Sequence, residues 1–378
     1  VAKYIPQDSA LDLEALKRGN STYFPDLVVP MIPDVLSNNM CSLKEAKVRS
    51  ALAVQIWIND KGEKTSHQFF RCVIKNTIAT TYEKAQSALD AVSGNKIDTK
   101  LRVRMEPLNS AYKLLQKQTK VREPLDLELV EQEILFDYAG EVTAIRSKAR
   151  FESHKIVEEF MILANICAAE TIKKNKLSFL YRVHEPPAFE KLLNLKTIAK
   201  TLGVNLNVGA KITSHDLNNL LKKAKKENCV DLISMSILRS MSQAQYSPES
   251  QSHFGLSLPC YTHFTSPIRR YSDLLIHRAL IHIHRWDAES NVKNQVELLK
   301  IGEHLSRTER RSMLAERDTK DRYLASFLKD QIGGEFSGRI NGLSKSGIFV
   351  RLHETGADGF IPISYLHNDR YKLNNDRN

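Results

Sequence analysis

Hydrophobic and polar positions alternate in several stretches of the first half of the chain, which is the spacing of β-strands. Two of them, residues 51–60 and 67–76, are separated by a Lys-Gly turn and predict a hairpin. Residues 127–147 alternate around an Ala-Gly turn and predict a second strand pair. We therefore expect antiparallel strands ahead of the helical part of the chain.

Apolar residues spaced three and four apart predict helices elsewhere. A short helix near the start of the chain is bounded by Ser9, which can cap its first turn, and by Gly19, which can end it. The longer predicted helices cover residues 153–169, 188–202, 215–240 and 292–330. Strands followed by helices indicate an α+β fold, with an antiparallel sheet flanked by helices.

The pattern changes again at Glu335, where short apolar runs are separated by glycines. This stretch is similar to the first strands of an S1 RNA-binding domain, a small OB-fold barrel. The positions that carry the similarity are Gly338, Ile340, Gly347, Phe349, Val350, Leu352, Gly359, Ile361, Pro362 and Ser364. The sequence stops before such a barrel is complete. We expect a C-terminally truncated barrel over residues 335–378, after a core domain over residues 1–330.

Charge and composition narrow the class of protein. The chain has 55 Lys and Arg against 44 Asp and Glu, a net charge of +11, which favours a polyanionic partner such as nucleic acid. Lysine runs such as residues 221–229 are also typical of a solvated helix face.

Five scattered cysteines without a CxxC pair argue against disulfides or a zinc site and favour the cytoplasm. No apolar run reaches the roughly 20 residues that span a bilayer. Because the chain starts at Val1 instead of Met, we expect a fragment.

The most informative segment is YTHFTSPIRRYSDLLIHR, residues 261–278. Ser266 followed by proline predicts a helix start, since serine caps a first turn and proline needs no N–H there. Arg269 and Arg270 would then lie in that first turn, where the helix dipole disfavours cations unless an anion binds. Free N–H groups beside two guanidinium groups predict a phosphate site. The alternative is that Arg269 pairs with the aspartate one turn later and both are solvated.

This segment closely resembles the arginine-bearing motif of the ribonuclease II/ribonuclease R family of RNA 3′→5′ exonucleases. Four further segments agree with that family in order and spacing, namely residues 9–19, 21–43, 154–169 and 314–318. The resemblance covers essentially the whole chain and is closer to ribonuclease R. It implies a large mixed nuclease core of the RNB type, followed by the OB-fold barrel.

The resemblance also implies roles for particular residues. Arg269 matches the catalytic arginine that stabilises charge on the scissile phosphate, and Tyr23 matches the tyrosine that orients the 3′-terminal nucleotide. Glu158 matches a glutamate that contacts the sugar of that nucleotide, and Glu316 lies in a shared motif. Arg270 is expected to bind an adjacent phosphate or to be structural. Taken alone, Tyr23 is also compatible with a tyrosine packed in a proline-rich loop.

Three other positions are candidates for RNA binding. Some family members clamp the terminal bases with a phenylalanine whose place falls at Leu127 here, and leucine lacks the aromatic face on which a base stacks. Phe349 and Phe360 in the barrel are candidates for stacking on single-stranded RNA or, alternatively, for packing inside the barrel.

Hydrolysis of a phosphodiester needs an activated water and neutralisation of charge, which two divalent metals held by carboxylates can supply. The sequence shows no such carboxylate cluster, and we interpret Asp8, Asp12 and Glu14 as cap and surface charges. The resemblance places four aspartate ligands upstream of the position of Val1. We therefore expect Mg²⁺ or Mn²⁺ as cofactor of the complete protein, and no metal ligands in this chain.

These observations favour a processive hydrolytic 3′→5′ exoribonuclease that acts on single-stranded RNA and releases nucleoside 5′-monophosphates in RNA degradation. We expect a cytoplasmic monomer without membrane association, and an inactive fragment. The alternative is a non-catalytic RNA-binding relative that has lost the aspartates. A serine hydrolase using Ser266 is disfavoured, because the sequence has no GxSxG motif and this serine already serves as a cap.

Overall fold

The computed structural model describes residues 1–90, 99–127, 131–209, 211–287 and 292–366. Its helices are α1 (Ala10–Arg18), α2 (Tyr82–Asp90), α3 (Thr99–Arg122), α4 (Glu152–Lys174), α5 (Phe189–Thr201), α6 (Ser214–Lys226), α7 (Val230–Ser240), α8 (Tyr271–Ile283) and α9 (Gln295–Lys329). Its strands are β1 (Thr22–Tyr23), β2 (Val28–Val29), β3 (Val48–Ile58), β4 (Lys64–Lys75), β5 (Gln132–Phe136), β6 (Val142–Ser147), β7 (Tyr181–Val183), β8 (Gln245–Ser247), β9 (Gly338–Ser344), β10 (Gly347–Leu352) and β11 (Asp358–Pro362). All the strand pairs among these elements are antiparallel, so the fold is α+β as predicted.

Helix α1 has the predicted ends, but one of its acidic residues was misinterpreted. The Ser9 hydroxyl accepts a hydrogen bond from the Asp12 N–H at 3.3 Å, and Gly19 ends the helix with a φ of 75°. The Asp12 carboxylate is buried and pairs with Arg278 of α8 at 2.7 Å. Its other oxygen accepts the Asp8 N–H just before the helix at 2.8 Å, so Asp12 does act at the helix start, but the expectation that it is a surface charge is wrong. A buried carboxylate of this kind is stable only because it is paired.

The predicted first hairpin is present as β3 and β4, and it packs against the helical core. Gly62 in its turn has a φ of 79°, and a Cβ there would fall 2.0 Å from the Leu114 carbonyl oxygen of α3. Apolar residues of β3 and β4 contact α4 and α8 around Phe69, Cys167 and Ile276. This contact makes α4 and α8 the centre of the core.

Helices α5, α6 and α7 bury their apolar faces against one another in a separate cluster. The single helix predicted for residues 215–240 is wrong, since Asn228 adopts a φ of 54° and separates α6 from α7. The left-handed region is one that asparagine tolerates better than most residues. The lysines of residues 221–229 are exposed on the outer side of α6, as a solvated helix face requires.

Helices α2 and α3 are absent from the sequence-based expectations. Their buried faces are narrow and consist of a few residues, including Ala85, Met105 and Tyr112, that pack against Ile156 of α4. Pro107 lies inside α3, which further weakens the helical pattern in the sequence. No helix within the described ranges is both long and apolar enough to cross a membrane.

The C-terminal strands form a three-stranded meander in the order β11-β10-β9. The meander contacts α7, where the Arg339 guanidinium lies 2.5 Å from the Asp231 carboxylate and Arg239 donates a hydrogen bond to the Asn341 carbonyl at 3.1 Å. These are the first strands of an OB-fold, as expected from the glycine pattern. Residues 367–378, which the truncated barrel was expected to include, lie outside the described residues.

Candidate active-site cleft

The arginine segment does not fold as predicted, because α8 begins at Tyr271 and not at Ser266. Residues 267–269 form a turn instead, in which the Arg269 and Arg270 N–H groups both donate to the Ser266 carbonyl. Arg270 is the N-cap residue of α8 and has extended backbone. The two arginines therefore precede the helix and do not lie in its first turn.

Contacts with the chain after α1 explain the late helix start. Asn20 and Arg270 form an antiparallel β-bridge, the Ser21 N–H donates to the Arg269 carbonyl at 3.0 Å, and the Tyr271 N–H donates to the Gly19 carbonyl at 2.9 Å. These hydrogen bonds require extended backbone at Arg270, which is incompatible with a helix there. Such long-range pairing outweighs a local helix-start signal.

The buried Asp273 carboxylate organises the turn. It accepts two hydrogen bonds from the Arg270 guanidinium at 2.8 and 2.9 Å and one from the Ser266 N–H at 2.7 Å. The alternative pairing considered above, between Arg269 and the aspartate, is therefore made by Arg270 instead, away from solvent. Arg270 therefore has a structural role, since its guanidinium neutralises Asp273 and stabilises the turn.

Arg269 lies on the wall of a cleft of about 220 Å³. The cleft is lined by Gly19, Asn20, Ser21, Tyr23, Tyr246, Arg269, Arg270, Ser272, Leu305, Glu309, Ser312, Met313 and Glu316. The Arg269 side chain is exposed and, within the described part of the chain, makes no hydrogen bond or ion pair. It is thus available to an anion that enters the cleft.

Helix α9 forms the opposite wall and holds Tyr23 in place. The Tyr23 N–H donates to the Glu316 carboxylate at 2.6 Å, and the Thr22 hydroxyl donates to the Ser312 hydroxyl at 2.9 Å. The Tyr23 side chain itself is 45% exposed on the cleft wall. It is therefore not a tyrosine packed inside a proline-rich loop. The structure brings Tyr23, Arg269 and Glu316 together at one cleft.

A second neutralised arginine, which the sequence reasoning missed, lies behind Tyr246 and Glu309 of the cleft wall. Arg182 of β7 makes two hydrogen bonds to the Glu309 carboxylate, at 2.7 and 3.0 Å. Its guanidinium carbon lies 4.7 Å from the centre of the Tyr246 ring, and Tyr246 is its cross-strand partner on β8. The only signal in the sequence is a charged residue within the short apolar run FLYRV.

Burial shifts the pKa values of two neighbouring groups at the back of the cleft, Tyr246 and His263. Burial raises the pKa of Tyr246 to about 12. The Tyr246 hydroxyl shares a 2.9 Å hydrogen bond with His263, whose pKa is held well below its ordinary value by burial and by Arg270 and Arg182. Both groups are therefore neutral at pH 7, and they add no charge to the cleft.

A larger cavity of about 610 Å³ adjoins the first cleft and shares Tyr23, Met313 and Glu316 with it. Its remaining walls come from the β5–β6 hairpin and from α9, and consist of Pro25, Glu131, Gln132, Glu133, Ile134, Lys148, Arg317 and Lys320. The two cavities therefore have a wall in common along α9.

Two predicted RNA contacts lie elsewhere. Among the described residues, Glu158 is outside the walls of both cavities, and its exposed carboxylate accepts a hydrogen bond from Arg150 at 2.9 Å. Leu127 is half-buried and packs against the cluster formed by α5, α6 and α7. The structure therefore does not bring either residue to the arginine cleft.

In the barrel, Phe349 and Phe360 face each other on β10 and β11 with ring centroids 5.0 Å apart. Both rings are about two-fifths exposed, at 42% and 44%. The described meander holds only the first strands of the barrel, so base stacking and packing inside the barrel both stay predictions.

A metal site cannot be assembled from the part of the chain that the structure describes. No group of three or more His, Cys, Asp or Glu side chains in these ranges could hold a metal ion. Asp8 is exposed and pairs with Lys293, and Glu14 pairs with Arg18 on the surface of α1. The residues present do not by themselves fit a two-metal centre.

A cleft with a free arginine, in an α+β core joined to an OB-fold meander, is typical of nucleic-acid-binding proteins. The sequence profile of the RNB domain matches residues 1–285, and that of the S1 RNA binding domain matches residues 329–377. The chain therefore belongs to the RNB, or ribonuclease II/ribonuclease R, family of exoribonucleases.

Individual relatives agree with this assignment. The chain is 36% identical to ribonuclease R of Vibrio cholerae over 98% of its length, and 35% identical to ribonuclease R of Escherichia coli over 99%. It spans only 46% and 47% of those two proteins, slightly less than half of each.

Solved structures show the same fold. The apo form of Mycoplasma genitalium RNase R superposes with a TM-score of 0.92 at 29% identity, covering all of this chain and 60% of that one. The same protein in complex with ribose-methylated single-stranded RNA gives a TM-score of 0.93. Yeast Ssd1, a pseudonuclease, gives a TM-score of 0.75 at 19% identity, which shows the fold alone.

Proposed function

We propose that this chain is the arginine-bearing part of a processive hydrolytic 3′→5′ exoribonuclease that releases nucleoside 5′-monophosphates from single-stranded RNA. The observation that carries the proposal is the exposed guanidinium of Arg269, which lines the cleft and, among the described residues, makes no hydrogen bond or ion pair. Arg270 is occupied by Asp273 and Arg182 by Glu309. Among the described residues that line the cleft, Arg269 is therefore the cation available to a phosphate.

Arg269 is suited to the chemical step. Its planar donors can meet two oxygens of the scissile phosphate at once, and charge on those oxygens increases as the pentavalent transition state forms. An interaction that strengthens in this way raises the rate more than the affinity. We assign Arg269 to the stabilisation of that charge.

Tyr23 is suited to placing the 3′-terminal nucleotide. Its backbone is fixed by Glu316 and its ring lies on the cleft wall, so that a ribose or base can pack against it without further rearrangement. We therefore assign Glu316 to positioning of Tyr23. Glu316 belongs to α9 and fixes the Tyr23 backbone. The distance between the terminal nucleotide and Arg269 therefore depends on that helix.

The RNA upstream of the terminal nucleotide is proposed to follow the larger cavity toward the barrel. Lys148, Arg317 and Lys320 line this cavity and can contact phosphates. The exposed Phe349 and Phe360 rings offer stacking surfaces for bases farther along the strand. The Mycoplasma genitalium relative is known in complex with single-stranded RNA, which supports this class of substrate.

Metal dependence belongs to the complete protein in this proposal. The described residues hold no carboxylate cluster, so Mg²⁺ or Mn²⁺ would be bound by aspartates outside this sequence. The same observation supports one alternative, a non-catalytic RNA-binding protein. The shared fold of a pseudonuclease is compatible with that alternative.

Measuring RNA degradation with and without divalent metal separates these two functions. The complete protein should shorten 5′-labelled single-stranded RNA from its 3′ end with Mg²⁺ or Mn²⁺ and stop when EDTA is added. The 378-residue chain alone should bind the same RNA weakly and leave it intact. RNA binding by the complete protein without metal-dependent cleavage would favour the non-catalytic alternative. Robust magnesium-dependent cleavage by the chain alone would mean that its residues do hold the metals.

A further inference from the structure

Glu309 places a carboxylate on the wall of a cleft that is proposed to receive phosphate. It lines the same cavity as Arg269, and its side chain is 36% exposed. A free carboxylate at this position would repel the RNA backbone and could also pair with Arg269. Its neutralisation by Arg182 therefore has a consequence for function beyond the packing of α9.

Arg182 is held rigidly before any RNA enters. Its side chain is 13% exposed, it lies over the Tyr246 ring, and both oxygens of Glu309 accept from it. Its backbone N–H also donates to the Tyr261 carbonyl at 2.8 Å, in the segment that leads to the arginines. A bidentate pair of this geometry fixes the orientation of the carboxylate as well as its charge.

We propose that Arg182 is a positioning residue, which keeps Glu309 neutralised so that Arg269 remains free for the scissile phosphate. This inference rests on the proposed function. Arg182 does not line the cleft itself among the residues described, so it acts through Glu309. Without Arg182, the Glu309 carboxylate becomes an internal competitor of the RNA phosphate.

The test is a set of variants in the complete protein, assayed for single-turnover cleavage and for dissociation of single-stranded RNA. Arg182→Gln should slow cleavage roughly tenfold, because Glu309 then occupies Arg269. Glu309→Gln should tighten RNA binding by roughly two- to threefold, since a negative charge leaves the wall. The Arg182→Gln/Glu309→Gln double variant should recover most of the cleavage rate that the single Arg182 change removes.

Arg310→Gln is the matched control. Arg310 is the next residue on α9, and its exposed guanidinium donates to the Gln243 side chain at 2.8 Å, outside the cleft. Its loss should change the cleavage rate by less than about twofold. A comparable loss in this control would contradict the inference, because removal of an arginine that does not pair with Glu309 would then slow cleavage equally.

Two results would overturn the inference. If the double variant is as slow as Arg182→Gln, Arg182 is needed for its own contacts and not to neutralise Glu309. If Arg182→Gln cleaves as fast as the unaltered protein, neutralisation is unimportant. Should Arg182→Gln fail to fold in a thermal melt, Glu309→Gln decides alone, and weaker RNA binding by that variant would refute the inference. An unaltered protein that does not bind RNA would instead refute the proposed function, and this inference with it.

Discussion

The buried carboxylate of Asp273 gives two adjacent arginines different tasks. It accepts hydrogen bonds from Arg270 and from the Ser266 N–H, so Arg270 is part of the turn that presents Arg269. Arg269 has no such partner within the described residues and stays exposed. The turn therefore depends on the Arg270 guanidinium, whereas the Arg269 guanidinium is the one proposed to act in the chemistry.

Removal of the Arg270 guanidinium should destabilise the fold. Arg270→Gln leaves the fully buried Asp273 carboxylate without its partner, which costs about 3–5 kcal/mol of unfolding free energy. Arg269→Gln is the matched control and should cost less than about 0.5 kcal/mol, because that side chain is exposed. Urea denaturation of the chain measures both. Equal losses would contradict the structural task assigned to Arg270.

Two partly buried histidines should make the stability of the chain depend on pH. Burial lowers the pKa of His253 to about 3 and that of His277 to about 4, whereas an unfolded histidine has a pKa near 6.5. Their neutral forms are thus favoured in the folded chain. The stability they contribute is complete above pH 6.5 and is lost as the pH falls from there toward the folded pKa values. Each should remove about 1.4 kcal/mol per pH unit in that window.

His277→Gln tests this dependence at one site. The His277 ring stacks on Phe264 and hydrogen bonds to its carbonyl at 2.9 Å, and glutamine retains a donor there without titrating. Between pH 7.5 and 5, the unfolding free energy of this variant should fall less steeply with pH. The difference in slope should be that of one titrating group, about 1.4 kcal/mol per pH unit. His353→Gln, at an exposed position, should keep the original slope. An unchanged slope in His277→Gln would show that His277 is not buried as a neutral group.

Sequence reasoning reached Arg269, Tyr23 and Glu316 through motif resemblance, and the structure brings these three to one cleft. It could not identify Arg182, because an arginine within a short strand carries no local sign of its partner. Glu309 is 127 positions away, so their pairing is a property of the fold. For the same reason, Asp12 looked like a surface charge although it is the buried partner of Arg278.

At the level of elements, helix α9 connects both sides of the cleft. Gly302 and the Ser306 hydroxyl contact the backbone of Tyr246 on β8, and Glu316 contacts the backbone of Tyr23 two to four turns later. A shift of α9 would therefore move Tyr23 relative to Arg269. The helix thus acts as a spacer between Tyr246 and Tyr23, both of which line the cleft.

Gly302→Ala should move this spacer. A Cβ at residue 302 would lie 2.6 Å from the Tyr246 carbonyl oxygen, so helix and strand must separate. We expect a loss of about 1–3 kcal/mol in stability, from overpacking. Gly209→Ala is a control, because a Cβ there meets nothing within 4 Å and its effect should be close to zero. Urea denaturation decides, and equal stability of the two variants would show that the contact between α9 and β8 is not tight.

The elements that sequence predicted well are those whose packing follows local periodicity. Helix α9 was expected over residues 292–330 and is found at Gln295–Lys329. The start of α8 was misplaced, since pairing with residues 19–21 holds its first predicted turn extended. Helices α2 and α3 were missed because their buried stripes are narrow. At the start of α8, a tertiary contact that is invisible in the local sequence therefore determined the result.

At the scale of the whole molecule, this chain supplies one side of a proposed two-part active site. The fold class and the family could be predicted, because a long motif and a glycine pattern are both retained in the sequence. The metal site could not be located, since the described residues contain no carboxylate cluster. The account therefore rests on what Arg269 does when the complete protein meets RNA.

The most direct test compares the rate and the affinity of Arg269→Gln in the complete protein. We predict that single-turnover cleavage of single-stranded RNA in Mg²⁺ falls by roughly 10²–10³-fold, as for the loss of one transition-state donor. The dissociation constant of the same RNA in EDTA should rise by less than about threefold, because the interaction strengthens mainly in the transition state. Equal losses in rate and affinity would contradict the account, since Arg269 would then only bind RNA.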